Sequence, residues 1–145
     1  AEAVPQDIFE WTEGKALVAT GSPFPEVLWQ GEAYQVAQCN NAFIYPGLAL
    51  GLSVSKAERL TPSALIAASK ALAAYAMDDD SGSSLLLPPL LAFPAYSKRV
   101  AVAVADAIRA EGLSGVSDDM DFEEKLDEQF WEPVYLDYQY DPAVA

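Results

Sequence analysis

Histidine is absent from this sequence, and cysteine occurs once, at Cys39. Without histidine the chain cannot build a Ser-His-Asp or Cys-His nucleophile system from its own residues. Zinc sites made of clustered His and Cys are excluded for the same reason. A single cysteine cannot close an intrachain disulfide, a usage that suits a reducing compartment. No cation lies near Cys39 in the sequence to stabilise a thiolate, so a buried, inert thiol is expected. Basic residues are scarce: 8 Lys and Arg face 22 Asp and Glu, a formal charge of −14. Such a chain repels phosphate backbones and anionic membranes, so neither nucleic acid nor a membrane is an expected partner. No apolar run approaches the ~20 residues of a spanning helix. No basic segment followed by an apolar one reads as a signal peptide, and a cytoplasmic location is expected. The G-x-G-x-x-G and P-loop fingerprints are also missing.

What is present suits one ordinary-sized globular unit. The 145 residues can bury a core, and a hydrophobic fraction of 52% excludes a disordered chain. Residues 3–13 read as a short helix with Pro5 in its first turn, Gly14 as its stop, and Val4, Ile8 and Trp11 on its buried face. The run Lys15–Thr20 is apolar and bounded by turn residues, which predicts a strand buried on both faces. The Gly21-Ser22-Pro23-Phe24-Pro25 loop then falls at its carboxyl end, the edge at which open α/β sheets bind ligands. Runs 27–30 and 33–37 around Gly31-Glu32 predict a hairpin with a type II′ turn.

After Asn40-Asn41 the chain turns helical. A helix over 42–57 starts near Pro46 and places Gly47 and Gly51 on one face, where another backbone can approach. Thr61 caps a helix over about 61–77, whose stripe is Leu65, Ala68, Leu72, Tyr75 and Ala76. Pro88-Pro89 break the Leu85–Leu91 run, so it is neither helix nor central strand. Within residues 94–112 the V-A-V-A-V-A run alternates like a strand, yet Tyr96, Val100, Val104, Ala107 and Ile108 keep helical spacing and Gly112 closes a helix. An acidic, capped short helix is expected over Ser117–Gln129. An aromatic tail from Phe130 to Tyr140 is expected to pack on a surface.

Two longer segments carry a resemblance. W-T-E-G-K-A-L-V-A-T-G-S-P-F (11–24) and Q-C-N-N-A-F-I-Y-P-G-L-A-L-G (38–51) resemble the malic enzymes, in particular the bacterial NAD-type, decarboxylating malate dehydrogenases. The similarity continues through R-L-T-P-S-A-L-I-A-A-S-K-A-L (59–72), L-L-P-P-L (86–90), V-A-V-A-V-A (100–105) and F-W-E-P-V-Y (130–135). The resemblance implies an α/β fold: the end of a Rossmann-like NAD(P)-binding domain with few strands over 1–40, a helical part of the substrate domain over 41–115, and an acidic helix with the aromatic tail over 116–145. It implies oxidative decarboxylation of malate to pyruvate and CO₂ with NAD or NADP and Mg²⁺ or Mn²⁺. The catalytic acid and base and the metal ligands would lie outside this chain, which would be the C-terminal quarter of a homo-oligomeric enzyme and inactive alone.

The resemblance also marks site residues. Asn40 and Asn41 align with an Asn-Asn pair that touches malate, while Gly21 and Ser22 belong to a loop near the nicotinamide. A carboxamide offers two N–H donors and one acceptor to a hydroxy-dicarboxylate. Each residue also has a plainer reading. Asn40-Asn41 can be a turn and helix cap, and Gly21–Phe24 can be a strand-ending turn. Asp78-Asp79-Asp80 and the acidic residues over 118–128 read as solvated surface rather than metal sites. Two alternatives to the malic reading stay open: a malolactic enzyme that releases lactate, and a non-catalytic binding or assembly module.

Overall fold

A computed structural model describes residues 2–78, 86–130 and Tyr135 of the chain. Its first part is built from α1 (Pro5–Thr12), β1 (Ala19–Thr20), β2 (Val27–Trp29), β3 (Glu32–Tyr34) and β4 (Ala37–Gln38). Pro5 begins α1, where its missing N–H costs nothing. The helix ends with Glu13 and Gly14 both left-handed, and the Gly14 N–H bonds the Phe9 carbonyl at 2.8 Å. The buried face of α1 is not the expected one. Pro5 and Phe9 are buried while Trp11 is 70% exposed. The reason is the neighbour: Phe9 lies 5.2 Å, centroid to centroid, from Tyr34 on the hairpin, and Trp11 points away from that contact.

The hairpin β2–β3 pairs antiparallel, with Trp29 opposite Glu32. Its turn residues are therefore Gln30 and Gly31, not Gly31 and Glu32. Both have positive φ, 52° and 88°, which makes a type I′ turn rather than type II′. Gly31 suits its second position because a left-handed backbone is cheap without a Cβ.

β1 and β4 run parallel, in register Ala19 with Ala37 and Thr20 with Gln38. The strand expected over Lys15–Thr20 is thus reduced to two residues. It is also not buried on both faces: exposure alternates along it, and Leu17 is 67% exposed. Among the described residues one strand alone pairs with it and no helix layer covers Leu17, so half of its apolar pattern faces outward.

The second part is helical. A 3-10 turn (Asn41–Phe43) leads into α2 (Tyr45–Val54), followed by α3 (Pro62–Met77), a 3-10 turn (Leu90–Ala92), α4 (Phe93–Ala110) and α5 (Phe122–Gln129). α4 is the central helix. Tyr96, Val100, Val104 and Ile108 point into one core with Phe43, Leu48, Ala64, Ala68 and Leu72. Ala101 and Ala105 point into a second core with Val54, Phe122 and Leu126. Gly47 and Gly51 let α2 lie on α4: a Cβ at Gly47 would sit 2.7 Å from the Ser97 carbonyl oxygen, and one at Gly51 2.5 Å from that of Ala101. They are packing glycines, as their spacing predicts. Thr61 caps α3 by accepting from the Ala64 N–H at 3.2 Å. The stripe of α3 is Ala64, Ala68 and Leu72; Leu65 is 44% exposed. α5 starts at Phe122, later than the acidic run suggests, because the Asp121 carboxylate accepts from the N–H groups of Glu123 and Glu124.

Phe130 packs where the tail begins, 6.4 Å from Phe93 and beneath the Lys98 ammonium. Tyr135 is fully exposed, so packing expected of the tail is not met at that residue by the described part of the chain. Trp131, Tyr138, Tyr140 and Asp79-Asp80 lie outside the described residues. No helix among the described residues is long and apolar enough to cross a membrane.

Candidate functional site

The parallel pairing of β1 and β4 decides which loops meet. Both strands leave the sheet at the same end, and the Cys39 N–H bonds the Thr20 carbonyl at 2.8 Å. Gly21-Ser22 therefore runs beside Cys39-Asn40-Asn41 at the carboxyl edge of the pair. The glycine-serine loop and the asparagine pair, separated in sequence by a stretch that includes the hairpin, therefore both start from that edge. That edge is where open α/β sheets receive ligands.

Each loop is shaped locally. The Thr20 hydroxyl donates to the Ser22 carbonyl at 2.7 Å and folds the loop back on the strand end. No atom lies within 4 Å of where a Cβ on Gly21 would sit. The backbone there is open to close approach. On the other loop Asn40 is extended (φ −123°, ψ 151°) and its side-chain oxygen accepts from the Ala42 N–H at 2.9 Å. The carbonyls of Asn40 and Asn41 accept from Phe43 and Ile44, each at 3.1 Å. Both asparagines are exposed.

The plain reading of Asn40 as a cap thus holds for its oxygen. Its NH₂ group keeps two donors, and the Asn41 carboxamide has no hydrogen-bond partner among the described residues. Cys39 is exposed, not buried. Its side chain escapes the alternation that buries Ala37 because pairing ends at Gln38.

Beyond these loops, Phe43 and Tyr96 were not marked as site residues by the sequence. The Phe43 ring is 4% exposed and stacks on Tyr96, with centroids 5.5 Å apart and planes at 21°. The one available signal was an aromatic three residues after Asn40. Three groups outside the two loops have shifted protonation. Hydrogen bonds from Ser63 and then Thr61 hold the Glu111 carboxyl below its ordinary range. The Ser117 hydroxyl, followed by the backbone, does the same for Asp119. Burial first, and Tyr75 second, push the Tyr96 hydroxyl upward.

A concavity of about 560 Å³ lies among α3, α4 and α5 and does not contain the asparagines. Its cations are already paired, Lys98 with Asp127 at 2.6 Å and Arg99 with Asp78 at 2.7 Å, so it is a poor receptor for a dicarboxylate. Among the described residues no three His, Cys, Asp or Glu side chains come together to hold a metal ion.

Comparison with known proteins gives one consistent family. The family model described as "Malic enzyme, NAD binding domain" matches residues 1–109. NAD-dependent malic enzymes of Salmonella arizonae and Salmonella typhi are each 43% identical over 138 residues, 95% of this chain and 24% of theirs. The crystal structure of Entamoeba histolytica malic enzyme superposes on 88% of this chain with a TM-score of 0.66 and 26% identity, over 23% of its own length. The chain spans about a quarter of the length of the curated relatives it matches.

Proposed function

The chain belongs to the malic enzyme NAD-binding domain family, and from that premise we propose that it forms part of the substrate and cofactor cleft of a larger malic enzyme subunit. The reaction is the oxidative decarboxylation of (S)-malate to pyruvate and CO₂, with NAD and a divalent Mg²⁺ or Mn²⁺. One observation carries the assignment of this segment's role: the parallel register that puts Gly21-Ser22 and Asn40-Asn41 at one strand edge. The general acid, the general base and the metal ligands belong to residues outside this chain. On the same reading the chain divides after residues 40 and 115, and the whole enzyme is a cytoplasmic homo-oligomer. Neither malolactic chemistry nor a stand-alone module has an observation here in its favour.

The division of labour at the edge follows from hydrogen-bond capacity. Asn41, with its whole carboxamide available, is the main malate ligand. Its NH₂ donates to a malate carboxylate, and its oxygen can accept from the malate hydroxyl. Asn40 spends its oxygen on the turn and offers its NH₂ alone. Bound NAD supplies the hydride acceptor. Gly21 and Ser22 form the wall against which the nicotinamide end lies, with the Thr20–Ser22 bond holding that wall in place.

Steady-state kinetics of the full-length enzyme test this. Asn41→Ala is expected to raise the malate KM by the equivalent of about 1–3 kcal/mol, the cost of stranding a buried polar partner. Asn40→Ser keeps a capping oxygen and loses the amide donors, so it isolates donation from capping. Unchanged malate kinetics in both variants remove the binding role.

A further inference from the structure

We infer that the Phe43–Tyr96 stack is the positioning anchor of the asparagine pair: the aromatic contact, more than the exposed turn itself, sets where the two carboxamides stand. The inference rests on the malate reading of those residues. The turn is weak by construction. It has 3-10 geometry, with poorer hydrogen bonds than an α-helix, and one side-chain cap. Both asparagines face solvent and contribute no burial of their own. Two fixed points flank them. On the sheet side Cys39 is tied to the Thr20 carbonyl at 2.8 Å. On the helix side Phe43 is buried against Tyr96. Four residue steps separate these points, so the chain between them has little slack, and a displacement of Phe43 is passed to Asn41.

Tyr96 is a firm support. It is fully buried, and Tyr75 meets it edge-on with centroids 5.9 Å apart. The next residue, Ser97, presents its carbonyl oxygen where Gly47 lets α2 settle. The α4 backbone thus carries both the ring under Phe43 and the seat of the helix that follows. The Tyr96 hydroxyl has no hydrogen-bond partner among the described residues. The ring, not the hydroxyl, is therefore the part that positions.

The experiment is a mutant cycle in the full-length enzyme, reading malate KM, NAD KM, kcat, and malate affinity by calorimetry. Phe43→Leu keeps an apolar side chain and removes the stack. It is expected to raise malate KM and Kd roughly tenfold, as the loss of about one hydrogen bond does, with NAD KM unmoved. In an Asn41→Ala background the same substitution is expected to have a much smaller effect on malate KM, because the main group it positions is gone. Tyr96→Phe keeps the ring and is expected to retain wild-type malate KM, whereas Tyr96→Met fills the space without a ring and is expected to behave as Phe43→Leu. Tyr96→Met serves as the test if Phe43→Leu does not fold. A merely structural role would lower the active fraction and kcat while leaving malate KM in place, and that result overturns the inference. So does a Phe43→Leu effect that persists undiminished in the Asn41→Ala background. If Asn41→Ala and Asn40→Ser are both silent, the malate reading fails and the inference falls with it. If they raise KM while Phe43→Leu does not, the inference alone fails.

Discussion

At the scale of single residues, the two asparagines do different jobs despite being adjacent. The Asn40 oxygen closes the turn on the Ala42 N–H, while Asn41 makes no such bond among the described residues. Asn40→Ala is therefore expected to cost about 1 kcal/mol of local stability through the lost cap, and Asn41→Ala close to nothing. Urea midpoints of the two variants check this independently of kinetics. Tyr96 makes a complementary case. Its buried hydroxyl has no partner among the described residues, a costly arrangement that a phenylalanine avoids. Tyr96→Phe is expected to stabilise the enzyme by about 1 kcal/mol, seen as a higher urea midpoint. A cap at Asn40-Asn41 was legible in the sequence, but not which of the two fills it, nor that the Tyr96 hydroxyl is unpartnered among the described residues. Asparagine favours caps and ligand sites alike, and the letter N does not say where its oxygen is spent.

At the scale of elements, the contact between α2 and α4 is set by two missing methyl groups. A Cβ at Gly51 would stand 2.5 Å from the Ala101 carbonyl oxygen, a backbone atom that cannot swing aside. Gly51→Ala gains about 1 kcal/mol in helix propensity but must push the helices apart, at about 1–3 kcal/mol or more for overpacking. Net destabilisation is expected, measured by thermal melting. Gly21→Ala is the control: with no atom within 4 Å of its Cβ, it is expected to leave the melting temperature unchanged. The i, i+4 glycine spacing on an otherwise apolar helix made this face readable from sequence. The turn of the hairpin was not, because one residue of register separates Gln30-Gly31 from Gly31-Glu32 and the alternation alone does not choose between them.

The ends of α3 and α4 meet through Glu111, whose carboxyl Ser63 and Thr61 hold low. A carboxyl held low in the folded state contributes stability above its unfolded pKa. That contribution fades as pH falls through the ordinary carboxylate range toward the folded value. Ser63→Ala is expected to flatten this acid limb in urea midpoints taken as a function of pH, with the direction fixed by the lowered carboxyl.

At the scale of the whole molecule, the described residues form a helical core and two two-stranded sheets. α4 is wrapped by α2, α3 and α5, whereas β1 has one strand partner among the described residues and leaves Leu17 outside. With its acid, base and metal ligands assigned elsewhere, the 145-residue chain alone is expected to show no NADH formation with malate, NAD and Mn²⁺. Turnover by the pure chain would contradict the assignment.

The amino-acid sequence by itself determined the α/β class, the helices around Tyr96 to Ile108, the packing glycines and the family, because periodicity, caps and long motifs are local properties of the chain. Tertiary structure alone decided which face of α1 is buried, that Cys39 is exposed, and that Gly21-Ser22 and Asn40-Asn41 share one edge. Those depend on what a segment meets across space: Phe9 on Tyr34, pairing that stops at Gln38, and a parallel register between two strands distant in sequence, Ala19 with Ala37.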